Sequence, residues 1–479
     1  YYTNYTNVMY GTLSAKHDLD FITKGLSAQL FFSFENDNYK STVRSQAFDS
    51  YWYKGLDNND APIYQQIGIA SRLTTDGSSS IERYNYLDMR LNYTRTFGPH
   101  AVTGQLLGNR TLRVINDELP YAYQGVSGHF TYSYKSRYFA EVNMGYNGSE
   151  NFPADRRYGF FPAFSAGWVL SDENFLKHSS WLTFLKLRGS YGIAGNDKIG
   201  GDRWLFISDF APGPGFRLGI SPIAVPGYDE NRVGNHFVTW ERSAKSNIGI
   251  DMTLTPKGEI QFSFDVFNEK RTNILTAPGT VPDYVGITGL APRNSGVVQN
   301  HGFEGEIRLN KTLGKVKVFA NIQLTYARNK VLENDLPKPA FPYQDLKNHE
   351  VGYTLGYKAL GFFTSEEDIA KSPLQQFSDK VIPGDIKYLD VNGDGIINAF
   401  DRVPVQIQNV PRYVGGLSMG AAYRGFDISL LLNGASGGGS YVNMYPGSLL
   451  QLQRWTAENP ADAKVPVAHS SGNNTLVSD

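Results

Sequence analysis

The chain has 479 residues, with 45 Lys and Arg against 46 Asp and Glu, and no cysteine. A net charge of −1 gives no electrostatic case for nucleic acid or an anionic surface, and without cysteine there is neither a disulfide nor a thiolate metal site. Aromatic residues make up 14% and glycines number 49, yet mean hydropathy is only −0.35, a balance that suits strands whose apolar residues alternate with polar ones.

The opening segment YYTNYTNVMYGT has neither the basic start nor the apolar core of a signal peptide. No apolar run approaches the roughly 18 residues of a membrane-spanning helix. The first clear period of two follows it. Leu87, Met89, Leu91 and Tyr93 share one face, and Asp88, Arg90, Asn92 and Thr94 the other. Val126, Phe130, Tyr132 and Tyr134 then oppose Ser127, His129, Thr131 and Ser133. Ala140, Val142, Met144 and Tyr146 oppose Glu141, Asn143 and Asn147 in the same way.

Short connections fall at Phe97–Pro99, Lys135–Arg137, Thr255–Gly258, Thr312–Lys315 and Tyr423–Gly425. A longer one, Ser171–Ser180, is predicted to hold one helical turn. Between them, long polar segments are predicted at 36–82, 109–124, 196–237, 272–300, 329–411 and from 434 onward. Short and long connections alternate, giving about 14 strands of membrane-spanning length in about seven hairpins, tight on one side and open on the other. This pattern points to an all-β fold, a transmembrane antiparallel β-barrel in a bacterial outer membrane. A soluble sandwich also alternates, but has no reason to keep every second loop short. Residues 1–479 read as one barrel portion, and since SSGNNTLVSD follows an outgoing strand, closing strands are expected outside the chain.

The segment DVNGDGIINAFD carries the most specific motif. Asp390, Asn392, Asp394, Asn398 and Asp401, with the Ile396 carbonyl and Gly395 for the sharp turn, match the oxygen cage of a twelve-residue calcium loop. Its flanks are extended and not helical, so the expected role is a structural Ca²⁺ staple. The competing reading is a metal-free turn whose Asx side chains bond nearby amides. GLSMG, Gly416–Gly420, matches the pattern of a hydrolase nucleophile elbow, but two strands and a tight turn follow it where that chemistry needs a helix. Ser418 is expected in the lumen, and no catalytic residue is assigned.

Asp88, Arg90, Glu141, Lys186, Arg188, Glu304, Glu306 and Arg308 are expected to line the lumen, solvating it or holding an internal plug. One long loop concentrates Trp204, Phe206, Phe210, Phe216 and Tyr228, the candidate contacts for a substrate or partner. The alternative for these rings is loop-to-loop packing. LLQLQRWTAENPADAKVP reads as a short helix followed by an extended stretch.

NMGYNGSENF, RRYGFFPAFSAGWVLSDENFL and LKLRGSYGIAGND resemble the central barrel of SusC/RagA-like TonB-dependent outer-membrane transporters of Bacteroidetes-type bacteria. TWERSAKSNIGIDMTL, FSFDVFNEKRTNIL and PGDIKYLDVNGDGIINAFDRV match further segments of that family in order. The resemblance implies a plugged barrel of about 22 strands, a TonB-contact segment and a surface SusD-like lipoprotein partner. The plug and TonB segment are expected outside this chain. It also places the DVNGDG loop in an extracellular segment leading into a strand that begins near Tyr413. The implied function is uptake of a large nutrient, oligosaccharide or peptide, without covalent chemistry. Two other readings compete: a siderophore-type receptor or passive porin, and a secreted calcium-stabilised glycan-binding β-protein.

Overall fold

A computed structural model describes residues 1–56, 59, 61–198, 203–220, 223–287, 289–376, 380–406, 410–439, 453–460 and 462–467. Fourteen strands form one sheet whose order is the order of the chain. Among the described residues the one α-helix is Glu366–Ala370, begun by Ser365, whose Oγ accepts the Asp368 amide at 3.2 Å. Contacts divide the chain into two units.

The first unit contains β1 (Tyr2–Asp18), β2 (Leu26–Ser45), β3 (Thr74–Phe97), β4 (His100–Ile115), and most of β5 (Tyr121–Tyr134) and β6 (Tyr138–Ser149). Apolar residues occupy one face: Leu30 pairs with Met89 and Leu91 with Leu106. Met89 is 59% exposed, whereas Asp88, on the other face, is 0% exposed. The Arg90 guanidinium donates to both Asp88 oxygens, at 2.8 and 2.7 Å, which offsets the cost of burying that charge. The sheet is therefore inside out, with its apolar residues in the open and its carboxylate buried.

The second unit contains most of β7 (Tyr158–Val169), then β8 (Leu182–Asn196), β9 (Glu241–Leu254), β10 (Ile260–Thr276), β11 (Arg293–Leu313), β12 (Val316–Glu333), β13 (Tyr413–Tyr423) and β14 (Phe426–Ser436). The same inversion holds. Ile248, 72% exposed, pairs with Val266, and that row continues through Phe303, Tyr326 and Tyr413. One residue along, the polar row runs Arg188, Gly249, Asp265, Glu304, Thr325. Arg424 (φ 48°) and Gly425 (φ 90°) make the tight turn between β13 and β14, a left-handed pair that matches strand twist. The predicted helical turn at 171–180 is a 3₁₀ turn at Leu170–Asp172 followed by further turns.

Several strands run far past a membrane. β3 has 24 residues, β11 has 21 and β2 has 20, while a tilted strand crosses in about 9–11. The polar segment predicted at 36–82 is thus corrected. Asn36 pairs with Arg83 and Ser45 with Thr74, so both its ends are strand. What separates them includes a hairpin, Ser50–Leu56 against Pro62–Gly68. The segment at 196–237 likewise contains a hairpin, Asp209–Leu218 against Ile223–Arg232.

The predicted loop at 329–411 folds as well. Tyr353–Gly356 pairs with Val403–Gln406, Ala359–Phe362 with Ile386–Tyr388, and Leu374–Gln375 in parallel with Ile396–Ile397. Tyr357, Tyr388 and Ile397 form its core. The helix expected in LLQLQRWTAENPADAKVP falls partly on residues 449–452, outside the described residues. Within 453–460 and 462–467 no α-helix occurs, and Arg454 bridges Val465.

Candidate functional site

The five predicted loop aromatics do not form one cluster. Phe210, Phe216 and Tyr228 stand exposed on the 209–232 hairpin. Phe210 pairs with Glu230 and Pro212 with Tyr228, so Phe210 and Tyr228 share a face of that hairpin. Trp204 and Phe206 are half-buried at its base, either side of the fully buried Leu205. The Arg203 guanidinium lies 4.0 Å over the Trp204 ring, and Phe206 meets His236 at 6.4 Å. Three rings are thus presented and two act as buttress.

A second aromatic hairpin, 50–68, escaped the sequence reading because it lies within a segment assigned wholly to loop. Tyr51, Trp52, Tyr53 and Tyr64 are all exposed there. The Tyr53 and Tyr64 rings sit 5.9 Å apart, and the Lys54 ammonium is 4.3 Å over Trp52. The signal was present as alternation: Tyr51 and Tyr53 fall on one face, Trp52 and Lys54 on the other.

The Asp390–Asp401 loop is held by its own side chains. Asp390 accepts the amides of Gly393 at 2.7 Å and Gly395 at 2.8 Å, and Asp394 that of Ile396 at 2.8 Å. Asn392 accepts the Asp394 amide at 3.0 Å, and Asn398 the Phe400 amide at 2.8 Å. Asp401, fully buried, takes the amides of Val391 and Asn398, both at 2.9 Å. Gly393 and Gly395 adopt φ of 77° and 83°, a region open to glycine at no steric cost. Among the described residues no three His, Cys, Asp or Glu side chains converge on a common ion position.

Salt bridges secure the loop bases. Asp335 receives Arg293, Thr280 (2.8 Å) and Ser295 (3.4 Å), and the Arg293 guanidinium holds its carboxyl below the usual carboxylate range. Glu350 bridges Arg328 at 2.9 Å and Arg412 at 2.7 Å. At the short-turn end, Glu173 accepts from Tyr138 (2.6 Å), Arg137 (3.0 Å) and Trp168 (3.1 Å), a joint between two turns.

The expected lumen charges lie on the polar face, and Asp88, Arg90, Arg188, Glu306 and Arg308 sit there in ion pairs. Arg188 bonds Asp265 at 2.5 Å through each terminal nitrogen and Asp251 at 3.0 Å through Nε. Arg308 donates to Glu306 at 2.7 Å, and the Lys186 ammonium lies 4.9 Å from the Phe139 ring. Glu141 accepts from Asn143 at 2.7 Å. Ser418 pairs with Asn321 and so sits in register with Arg308 on that polar face, within a strand. A strand followed by a two-residue turn offers no strained elbow for a nucleophile.

The family model for the TonB dependent receptor-like β-barrel matches residues 1–464. TonB-dependent receptor P39 of Formosa agariphila is 29% identical over 351 residues, 66% of this chain and 33% of that protein. TonB-dependent receptor SusC of Bacteroides thetaiotaomicron is 25% identical over 319 residues, 64% of this chain and 30% of that one. The chain spans no more than about half the length of these relatives. Among solved structures, the RagAB peptide transporter superposes with a TM-score of 0.66 over 98% of this chain and 53% of that chain, at 15% identity. The inside-out sheet and the family match agree: the chain belongs to the TonB-dependent receptor β-barrel family, as an all-β, antiparallel transmembrane barrel region in a bacterial outer membrane.

Proposed function

We propose that this barrel serves TonB-dependent active import of a large nutrient, an oligosaccharide or a peptide, in complex with a surface SusD-like lipoprotein. The observation that carries the reading is the elaborated open side: two exposed aromatic hairpins and a folded loop stand beyond strands already long enough to cross the membrane. A passive porin needs no such apparatus. Names of similar proteins support the reading, since one is called SusC and another is a structure of a peptide transporter. Phe210, Phe216 and Tyr228 are proposed to contact cargo or lipoprotein, with Trp204 and Phe206 fixing their hairpin. TonB would engage a segment outside residues 1–479, and the paired lumen charges would face plug and solvent.

For calcium, Asp390, Asn392, Asp394, Asn398, Asp401 and the Ile396 carbonyl are the proposed ligands. The side-chain oxygens of Asp390, Asn392, Asp394, Asn398 and Asp401 accept loop amides, and each keeps a second lone pair for an ion.

The test is to solubilise the full-length protein from outer membranes in mild detergent and identify its companions by mass spectrometry. A stoichiometric lipoprotein is expected. A lone plugged barrel would instead indicate a siderophore-type receptor, and a lone barrel with no plug peptides a porin. Protein that stays soluble without detergent would contradict the membrane assignment itself.

A further inference from the structure

The first unit carries a groove of about 570 Å³ on the apolar face of its sheet. Ala15, Ala28 and Gly108 form its floor, and Leu30, Met89 and Leu91 rise around it. Its volume falls within the range of small-molecule sites, roughly 300–1,000 Å³. At Gly108 an added Cβ would meet nothing within 4 Å, so the floor is open to whatever lies above. That something is lipid, because this is the exposed apolar face of an outer-membrane barrel.

Arg95 gives the groove a direction. It lies on the same strand and face as Leu91, four residues toward the short turn at Gly98 and Pro99, or about 13 Å along the strand. Its guanidinium rests 4.5 Å from the Phe97 ring, and among the described residues no carboxylate pairs with it. An unpaired arginine on the lipid side of a barrel is stable at headgroup depth, where it meets phosphate. Gly108 pairs with Met89, six residues or about 20 Å along the strand from Arg95, and at a tilt of roughly 35–45° that is about 15 Å of depth, close to one leaflet of the roughly 25 Å apolar band. Phosphate at Arg95 therefore puts the end of an acyl chain over Gly108. Short turns face the periplasm, which fixes the leaflet.

We propose that this groove is a binding site for one phospholipid of the periplasmic leaflet, its phosphate on Arg95 and one acyl chain laid over Ala15, Ala28 and Gly108. The assignment rests on membrane location and not on the proposed import. The full-length protein, purified and placed in phosphatidylcholine nanodiscs with a trace of phosphatidylethanolamine bearing a mid-chain diazirine, would be irradiated and its crosslinks mapped. Crosslinks are expected to concentrate on Leu30, Met89 and Leu91. Gly108→Leu, whose Cβ enters open space, should fill the groove and cut them about tenfold, and Arg95→Gln should weaken them too. Ala320→Leu, on the lipid face of the second unit, should leave them unchanged. Crosslinks spread evenly over lipid-facing residues, or indifferent to Gly108→Leu, would mean annular lipid only and overturn the site. Loss with Gly108→Leu but not with Arg95→Gln would overturn the placement of the phosphate. An acyl chain from a co-purified lipoprotein at the same residues would overturn the phospholipid.

Discussion

Gly249 is the residue whose replacement tests the polar row most directly. A Cβ built there would lie 2.5 Å from Asp265 Oδ1, 2.6 Å from Arg188 Cζ and 2.7 Å from Arg188 Nη1. The guanidinium crosses strand β9 over this glycine to reach Asp265 on β10, and any side chain blocks the crossing. Gly249→Ala should therefore break a bidentate pair and leave Asp265, 9% exposed at its side chain, without its cation. Breaking a buried pair costs about 3–5 kcal/mol, but Arg188 is 34% exposed and water recovers part of that. We expect ~2–3 kcal/mol, the range for one or two charge-assisted hydrogen bonds. The assay is guanidinium unfolding of the full-length protein in detergent micelles, with Gly189→Ala as control. Gly189 is the neighbouring residue of β8, where a new Cβ would meet only Asn247 O at 3.9 Å. Both variants gain the same unfolded-state term of about 0.4–1 kcal/mol, which cancels in the comparison. Unfolding free energies within about 0.5 kcal/mol of each other would refute the reasoning. So would additivity of Gly249→Ala with Arg188→Met, since the glycine should stop mattering once the guanidinium is gone.

The extracellular elements give three further tests. Buried Gln375 accepts the Tyr388 amide at 3.0 Å and donates to Ile386 O at 3.1 Å, so Gln375→Ala strands two backbone groups at ~1–3 kcal/mol each. Limited proteolysis should then cut within 353–406 while the barrel strands stay protected; an unchanged digest would count against the loop core. The depressed carboxyl of Asp335 contributes stability above the ordinary carboxylate value of about 4 and loses it as pH falls through its lowered value. Pepsin cleavage at 277–292 should rise across that acid window in the native protein, whereas Asp335→Asn should be cleaved alike throughout. For the Asp390–Asp401 loop, thermal stability would be compared in calcium and in EDTA. If calcium binds, the native difference disappears in the Asp390→Ala, Asp394→Ala double variant, and no native difference would eliminate the metal.

Much of the barrel was legible because membranes enforce a simple code. Within the bilayer one face of each strand must be apolar, so Leu87, Met89 and Leu91 stood out against Asp88 and Arg90. Above the bilayer both faces are wet and the code stops. Asn36–Ser45 and Thr74–Glu82 are strand by hydrogen bonding alone, and their Asn, Ser and Thr read as loop. The candidate aromatics were visible by type but not by role, because which ring is presented and which is buttress depends on hairpin register. Leu205, between Trp204 and Phe206, is the buried anchor, and nothing in its identity marks it out.

The same dependence on partners explains how a calcium-like loop can sit between strands. In an EF-hand the flanking helices fix the loop ends. Here that work falls to the loop's neighbours in the sheet. Leu374–Gln375 pairs in parallel with Ile396–Ile397, the Leu374 amide reaches Gly395 O at 3.0 Å, and the Gln376 amide reaches Ile397 O at 3.0 Å. Ile397 is fully buried against Tyr357 and Tyr388, which pins the loop's apolar side. Gln344 closes the far end by donating to Ala399 O at 2.9 Å. The Asx side chains then need only satisfy the amides of the sharp turn, as their bond lengths record. Flanked by strands on both sides, the loop has a frame that does not depend on helices. Its stability should accordingly follow the packing of Ile397 more closely than the acidity of Asp390.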